Sequence, residues 1–503
     1  MWLHLAFWIP LGVLFFTYLG YPALLVLLTA FRGRDCVPGN SFQRSALSAQ
    51  HSALSTQHSV LSPQHSALST QQSALSTQHS ALSTQHSVLS PQHSALSPQH
   101  SVLSPQHSVL SPQHSALSTQ HSIEPSVSLL VPARNEADHI EAKIRNCCEL
   151  DYPPQKLEII VVDDGSGDGT AGRAEAAFER LGAAADGGPL PALRVLRQPR
   201  RLGKAAALNR GVGEASGEVL VFSDADSLIA PGSLRPLVRP FANPLVGCVA
   251  GRYVPGGLRG ANAAGAGFYW RYENFLRRKE SEFGGLLGAS GALYAVRSDL
   301  YEPLDPQVIN DDFVVPMTVA SKGYRTLLEP EAAAVEDESE NARMEFPRRV
   351  RIMTGNCEHL WMFRGLALDF GRGRAAFQMF CHKFLRVVSP LWLILLLAAN
   401  GALVCRSAQQ ERLSAAGGPD LRFTLALYGA LLFLQLAFYT LALLGYLTRG
   451  QGRPVRVFTL PYYFVMLNAA ALAGIYYFFL NRRALPWGAR DSSGSGRPRP
   501  GGE

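Results

Sequence analysis

The chain has 503 residues, 47% of them hydrophobic and 17% charged, a length that holds one large domain or a few smaller ones together with membrane segments. Its formal charge of +7 and pI near 9.1 do not mark a nucleic-acid binder, because the arginines sit largely beside apolar runs, as in a membrane protein. The seven cysteines form no Cys-x-x-Cys pair and no metal-ligand spacing, which excludes a zinc module and reads as reduced or buried thiols in a domain facing the cytosol.

Trp2 to Phe31 is apolar throughout, with His4 as its one chargeable side chain. About 20 residues cross a bilayer as a helix, so this run crosses once. A signal peptide is the rival reading, but the apolar stretch is too long and no charged segment precedes it, which favours an uncleaved anchor. Arg32 and Arg34 follow at once and put the downstream side in the cytosol.

Gln43 to Thr119 repeats with a period of seven, in variants of QHSALST and QHSVLSP. The apolar residues are adjacent, so there is no coiled-coil seam, and Pro63, Pro91, Pro98, Pro105 and Pro112 break a helix. Residues 43–122 are therefore expected to be a disordered linker without chemistry of its own. Its histidines, His51 through His121, leave open weak metal binding or a gain of charge in acid.

Globular composition begins near Ile123, and the domain is expected over 124–380. Val127 to Val131 reads as a buried strand ended by Pro132-Ala133-Arg134-Asn135-Glu136, with a helix from Glu136 to Leu150. Leu157 to Val162 is a second strand, ending in Asp163-Asp164-Gly165-Ser166, and Gly167-Asp168-Gly169-Thr170 opens another helix. Arg194 to Leu196 is a third strand. Leu202-Gly203-Lys204 leads into a helix over Ala205 to Ala215, and Val219 to Phe222 is a fourth strand. Alternating strands and helices predict right-handed βαβ units and an α/β fold with a mostly parallel sheet. Neither GxGxxG nor GxxxxGK[ST] occurs, which excludes the usual dinucleotide and P-loop fingerprints.

The fourth strand ends in Asp224-Ala225-Asp226. Two carboxylates two residues apart, where a parallel strand opens into a loop, can reach one divalent cation, and carboxylate oxygens suit Mg2+ or Mn2+. A polar turn with a capping aspartate is the plainer alternative. Beyond Phe380 lie three further apolar runs, Val387 to Val404, Phe423 to Leu447 and Val457 to Leu480, each long enough to span. Arg449, Arg453 and Arg456 mark a cytosolic loop between the last two. Four crossings then put the C-terminus outside, against Arg482, Arg483 and Arg490, unless one run is re-entrant or interfacial. Residues 488–503 are Gly/Ser/Pro/Arg-rich and are expected to be disordered.

Taken together, VPARNE, VVDDGSGDGT, GKAAALN, DAD, GASGALYAVR and NDDF, in that order, resemble the inverting family 2 glycosyltransferases of the GT-A fold. The similarity is greatest to their membrane-embedded branch, which includes hyaluronan, chitin and cellulose synthases, and it covers about Ser126 to Thr354. The resemblance implies a donor pocket for a UDP-sugar lined by Pro132, Arg134, Glu136, Asp163, Asp164 and Lys204, with Asp163 accepting from the base or ribose. It implies Asp226 as a direct metal ligand and Asp224 on ribose or metal. Gly288, Ser290 and Gly291, in the glycine-rich loop Gly284 to Gly291, fall where the family binds its acceptor. Asp312 falls at the general base, with Asp311 as its supporting neighbour. Helix caps at Asp311 and Asp312, and a solvated Lys204, are the plainer readings.

The processive members carry Gln-x-x-Arg-Trp after the base. Here Arg348 stands for Gln, Arg351 matches the arginine that would hold the pyrophosphate, and Ile352 replaces the Trp. Long-chain processivity is therefore in question, with Trp361 as a substitute for the missing ring. Arg348, Arg349 and Arg351 have an alternative place at anionic lipid headgroups. The expected protein is a multi-pass enzyme of the plasma membrane with a cytosolic catalytic domain, acting on a saccharide or lipid-linked acceptor, its helices offering a path for a growing glycan. Transfer to a polyprenyl phosphate, a nucleotidyltransferase, and a non-catalytic scaffold or transport subunit remain as alternatives.

Overall fold

The computed structural model describes residues 2–31, 124–184, 188–256, 262–337, 342–368, 373–413, 419–448 and 456–480. The repeat over 43–122, the arginines at 32, 34, 449 and 453, and the tail over 488–503 lie outside the described residues.

From Glu124 the chain builds an eight-stranded sheet in the order β3-β2-β1-β4-β7-β6-β8-β5. β1 (Val127–Ala133), β2 (Leu157–Asp163), β3 (Ala192–Arg197) and β4 (Val219–Phe222) are parallel. β5 (Ser227–Ile229), β6 (Val246–Gly256), β7 (Tyr294–Arg297) and β8 (Arg325–Asp337) complete the sheet. β7 lies antiparallel between β4 and β6, while β8 pairs parallel with β6 and antiparallel with β5. The fold is thus the expected α/β arrangement, a mixed and mostly parallel sheet.

Every residue of β1, β2 and β4 is buried, because helices cover both faces. Leu129, Val131, Ile159, Val161 and Val221 face a core shared with two helices of the crossovers. One carries Ile140 and Ile144, the other Ala174 and Ala177. Leu130, Leu220 and Phe222 point the other way, towards Ala205, Leu208, Val314 and Val319.

β1 runs two residues beyond the expected Val131, through Pro132, which pairs with Val162. Pairing with β4 stops at Leu130 opposite Phe222, so on that side Pro132 leaves no ladder bond unmade. The helix expected from Glu136 is shorter: a turn bonded to Glu136 O precedes α3 (Ile140–Cys148). The later crossover helices are α4 (Thr170–Ala184) and α5 (Lys204–Gly213). α6 (Asn262–Phe283), α7 (Asp311–Ser321) and α8 (Ala342–Met362) follow.

Among the described residues, four helices are long and apolar enough to cross a membrane: Trp2–Ala30, Gly373–Leu413, Pro419–Thr448 and Val457–Phe479. The first is broken by a π-helical turn at Phe16–Gly20. The second begins well before the expected Val387 and passes through another π-helical turn at Met379–Phe384. It therefore joins the sheet domain without an intervening loop at 380, and its main helix is Leu385–Leu413. Phe7 and Leu14 of the first span pack with Leu396, Ala399, Leu403 and Tyr428.

A buried polar cluster fastens these spans to the sheet domain. Tyr21, fully buried, donates its hydroxyl to Glu280 Oε1 of α6 at 2.7 Å. His382 Nδ1 lies 2.8 Å from the same oxygen, and Gln378 donates to Glu280 O at 3.2 Å. Arg386 donates to Glu273 Oε2 at 2.8 Å. Burial works against the charge of Glu280, but His382 holds its carboxyl below the ordinary value. Tyr21→Phe leaves this buried carboxylate with one donor fewer. The expected loss is about 1.5–3 kcal/mol, the range for a hydrogen bond to a charged group, read as a lower midpoint of thermal unfolding of the purified protein in detergent.

Candidate active site

Side chains with chemistry gather where β1, β2 and β4 end, the edge at which open α/β sheets bind ligands. The Asp224-Ala225-Asp226 turn is held from three sides. Asp224 N donates to Gly291 O at 3.1 Å, and Ser223 donates its hydroxyl to Ala292 O at 2.7 Å. Beneath the turn, Lys143 donates from Nζ to Ser223 Oγ and to Ser227 O, both at 2.6 Å. Lys143 is fully buried, and that burial lowers its pKa. It clasps both ends of the acidic turn from α3. The sequence carried a sign of this: Lys143 stands with Ile140, Ile144 and Cys147 in the inward stripe of its helix, where a lysine needs a partner.

Lys204 reaches the same turn from above the sheet. Leu202 N and Gly203 N donate to the two carboxylate oxygens of fully buried Asp164, at 2.6 and 3.0 Å. Gly203 has φ +101°, a backbone that favours glycine. This loop delivers Lys204 as the first residue of α5, with Nζ 2.7 Å from Asp224 Oδ1 and 2.9 Å from Asp311 Oδ1. Burial opposes the ammonium charge, but Asp224 and then Asp311 outweigh it and raise the pKa. Lys204 is not a solvated first-turn residue.

Asp311 and Asp312 open α7 but do different things. Asp311 is 3% exposed and both its oxygens are engaged, Oδ1 by Lys204 and Oδ2 by the Tyr294 hydroxyl at 2.9 Å. Asp312 accepts from Gly291 N at 3.2 Å and lines the cavity. Burial, followed by the charge of Asp311, pushes its carboxyl up to about 6. Neither aspartate caps the helix through a side-chain bond; Asn310 is the N-cap residue, and its side chain instead donates to Ile352 O at 3.1 Å, tying α7 to α8.

Gly291 is wedged between the acids. A Cβ there would stand 2.7 Å from Asp224 Oδ2, so the close approach requires glycine. Gly288, Ser290 and Gly291 line one cavity of about 240 Å³ with Asp224, Asp311 and Asp312. Seven basic side chains and five carboxylates face it, so the cavity favours an anionic ligand.

Arg348, Arg349 and Arg351 all line this cavity, with the Arg348 side chain 44% exposed. Arg348 donates to Glu336 Oε1 of β8 at 2.7 Å. Burial raises the Glu336 pKa to about 7; Arg348 pulls it down while Asp226 and Asp224 push it up. Glu336 pairs with Ser227 across the β5–β8 ladder, directly beside the acidic turn. Trp361 does not stand in for the missing aromatic: it is 62% exposed, stacked under Arg364 at 4.6 Å. The rings that do line the cavity include Tyr253, Tyr269, Trp270 and Phe313, with Tyr253 and Trp270 centroids 4.2 Å apart. Glu336 and Trp270 carried no motif, and only the aromatic run over 268–275 hinted at the latter.

A second recess of about 330 Å³ lies at the end of β2. Asp163 Oδ1 and Gln198 Oε1, both buried, point into no protein partner there. Two buried acceptors without donors suit a ligand that supplies N–H or O–H groups. Arg134 spends Nη1 on Asp164 O and Gly165 O, at 2.5 and 2.9 Å, and so braces the rim of this recess. Glu136 pairs with His139 at 3.0 Å, and Pro132 stays within β1. Asp224, Asp226 and Glu336 offer only oxygen donors, which fits a hard divalent cation. Among the described residues no group of three or more His, Cys, Asp or Glu is already gathered as a metal cage.

The profile of Glycosyl transferase family 2 matches residues 128–304. The chain is 28% identical over 273 residues to the probable glycosyltransferase YdaM of Bacillus subtilis, covering 52% of this chain and 62% of that protein. It is 25% identical over 322 residues to an N-acetylglucosaminyltransferase of Rhizobium meliloti, covering 56% and 71%. To a beta-monoglucosyldiacylglycerol synthase of Synechocystis it is 33% identical over 127 residues, a quarter (25%) of either chain. The chain thus spans less than two thirds of YdaM and much less of the synthase. Among solved structures, the mannosyltransferase PcManGT from Pyrobaculum calidifontis, in complex with GDP-Man and Mn2+, superposes with a TM-score of 0.50 at 24% identity. That match covers 72% of this chain and 88% of the other, and shows the fold.

Lys143→Met keeps the volume of the buried stem and removes both bonds under the acidic turn. The expected result is an unchanged circular dichroism spectrum with nucleotide release from a nucleotide-sugar, the activity proposed below, lowered about tenfold or more, the equivalent of about 1.4 kcal/mol.

Proposed function

We propose, from the premise that residues 128–304 of this glycosyltransferase are a family 2 domain, that the chain transfers a sugar from a nucleotide-sugar, UDP-linked in our reading, with inversion at the anomeric carbon. The acceptor is a saccharide or lipid-linked hydroxyl at the cytosolic face of the membrane, and the sugar is a hexose or an N-acetylhexosamine. The observation that carries the reading is Asp312, set against Gly291 N and separated from Asp224 by that one glycine, in a cavity with an excess of basic side chains.

The nucleotide base or ribose fits the recess at Asp163 and Gln198, whose free oxygens accept its polar hydrogens. Arg134 braces that recess through Asp164 O and Gly165 O, while Pro132, Glu136 and Asp164 stand outside its lining. The diphosphate lies towards Arg351, Arg348 and Lys204. Asp226, with Asp224, would hold Mg2+ or Mn2+, which when bound neutralises the diphosphate as a leaving group. The acceptor enters over Gly288 and Ser290. Asp312 takes the proton of its hydroxyl as that oxygen attacks the anomeric carbon from the face opposite the nucleotide. Asp311, tethered by Lys204 and Tyr294, keeps Asp312 in place and supplies the negative charge that makes it a better base.

Purified protein in detergent, given a panel of nucleotide-sugars with Mn2+ or Mg2+, is expected to release nucleoside diphosphate with one or two donors only. Asp226→Ala is expected to abolish the metal-dependent part. Asp312→Asn lowers turnover about 10²–10⁴-fold, the usual worth of a general base. Release of pyrophosphate in place of nucleoside diphosphate would overturn the reading.

Asp312 acts in its deprotonated form, so turnover rises with pH through about 6 and levels off above it. In Asp311→Asn the neighbouring charge is gone, Asp312 ionises more readily, and the acid limb of the pH profile moves to lower pH. A limb that stays in place would show that Asp312 is not the group being titrated.

A further inference from the structure

Next to the catalytic cavity lies a larger one, of about 710 Å³. It sits within the range of about 300–1,000 Å³ typical of small-molecule sites. Its walls come from three of the four apolar spans besides the first: Arg386 and Ser389, Phe438, and a series from Val457 to Ala471. The π-helical turn of the first span closes it with Tyr18 and Leu19. Tyr269, Met353 and Arg386 line both cavities, so the two share a wall.

The lining is aliphatic and aromatic, and its polar side chains other than Tyr269 are already bonded inside the protein. The Tyr18 hydroxyl lies 3.1 Å from Ser389 Oγ, Ser389 donates to Asn468 Oδ1 at 2.6 Å, and Asn468 donates to Phe464 O at 2.9 Å. Tyr272 donates to Tyr18 O at 3.1 Å, and the Tyr463 hydroxyl accepts from Arg349 at 2.9 Å. At the junction with the catalytic cavity, Arg386 is neutralised by Glu273 and Arg349 by Glu345 at 2.7 Å. A glycan passing through would give up its water without gaining hydrogen bonds in return. A hydrocarbon chain requires none, and an anionic headgroup at the junction would meet cations that are already paired.

We propose that this cavity holds the hydrocarbon chain of the acceptor, and that the acceptor is a neutral membrane lipid with a free hydroxyl. The proposal rests on the glycosyl-transfer reading above and names its acceptor class. The lipid hydroxyl oxygen bonds to the anomeric carbon, its proton passes to Asp312, and the bond from that carbon to the phosphate oxygen breaks with the electron pair leaving on the nucleoside diphosphate. The headgroup reaches Asp312 past Tyr269 while the chain stays between the spans.

The test uses the full chain in detergent with the donor found above. Three acceptors are compared: diacylglycerol in mixed micelles, a soluble oligosaccharide and a polyprenyl phosphate. Leu467→Trp fills the cavity from the last span, and Ala471→Phe fills it from a neighbouring position should the first variant fail to fold. Glycolipid is expected from diacylglycerol, with kcat/KM for the lipid falling about tenfold or more in either variant while slow donor hydrolysis without acceptor stays unchanged. Transfer to the oligosaccharide at equal rates in wild type and variants overturns the proposal and leaves the glycosyl-transfer reading standing, as does transfer to polyprenyl phosphate alone. Absence of nucleoside diphosphate release under every condition sinks the glycosyl-transfer reading, and this one with it.

Discussion

The ammonium of Lys204, 2.7 Å from Asp224 and 2.9 Å from Asp311, is the contact on which the site depends. The two aspartates lie 87 residues apart in sequence, one after β4 and the other at the head of α7. Without a cation between them their charges would repel in a cavity of low dielectric. With it, the acidic turn and the Asp311-Asp312 pair are held on either side of Gly291. The cation must itself be delivered rigidly, and fully buried Asp164 does this by gripping the two peptide N–H groups just before it. An acid expected to touch the donor therefore works one step back, shaping the loop that carries Lys204.

The parallel half of the fold was legible because buried strands in a βαβ sheet are short, continuous and apolar; Val219–Phe222 ends in the structure where the sequence ends it. β5 and β7 carried weaker signals. They are three and four residues long, and their pairing is set by contacts distant in sequence. Boundaries shifted where tertiary pairing overrode local rules, as at Pro132, whose missing N–H faces a position that β4 never reaches.

Within the site, residues embedded in motifs were legible and residues that face it from elsewhere were not. Asp224, Asp311 and Asp312 lie in strings whose spacing speaks for itself. Lys143 and Glu336 do not, since Lys143 shares its helix with Glu141 and Arg145 and Glu336 shares its strand with Glu329, Glu331 and Asp337, and what marks them is burial. Trp361 shows the opposite error: nine residues after the expected ring position it lies on the same helix, yet α8 turns it outward under Arg364. Proximity in sequence along a helix fixes a face only modulo the turn.

The buried charges around Glu273 and Glu280 bear on how membrane and chemistry are joined. An ion pair this deep gives little net stability, because desolvation offsets most of its attraction, yet removing one partner is costly. Such a network specifies geometry more than it adds strength. Here it links Tyr21 of the first span, α6 beneath the catalytic cavity, and His382 and Arg386 at the head of the second span. Arg386 lines both cavities, so the same salt bridge that docks the second span against the sheet domain also stands in the wall they share. A lipid that entered between the spans would therefore meet a rim whose shape is fixed by the sheet domain. The distance from its hydroxyl to Asp312 is then set by the protein and not by the fluid depth of the bilayer, which is what an in-line attack on a bound donor requires.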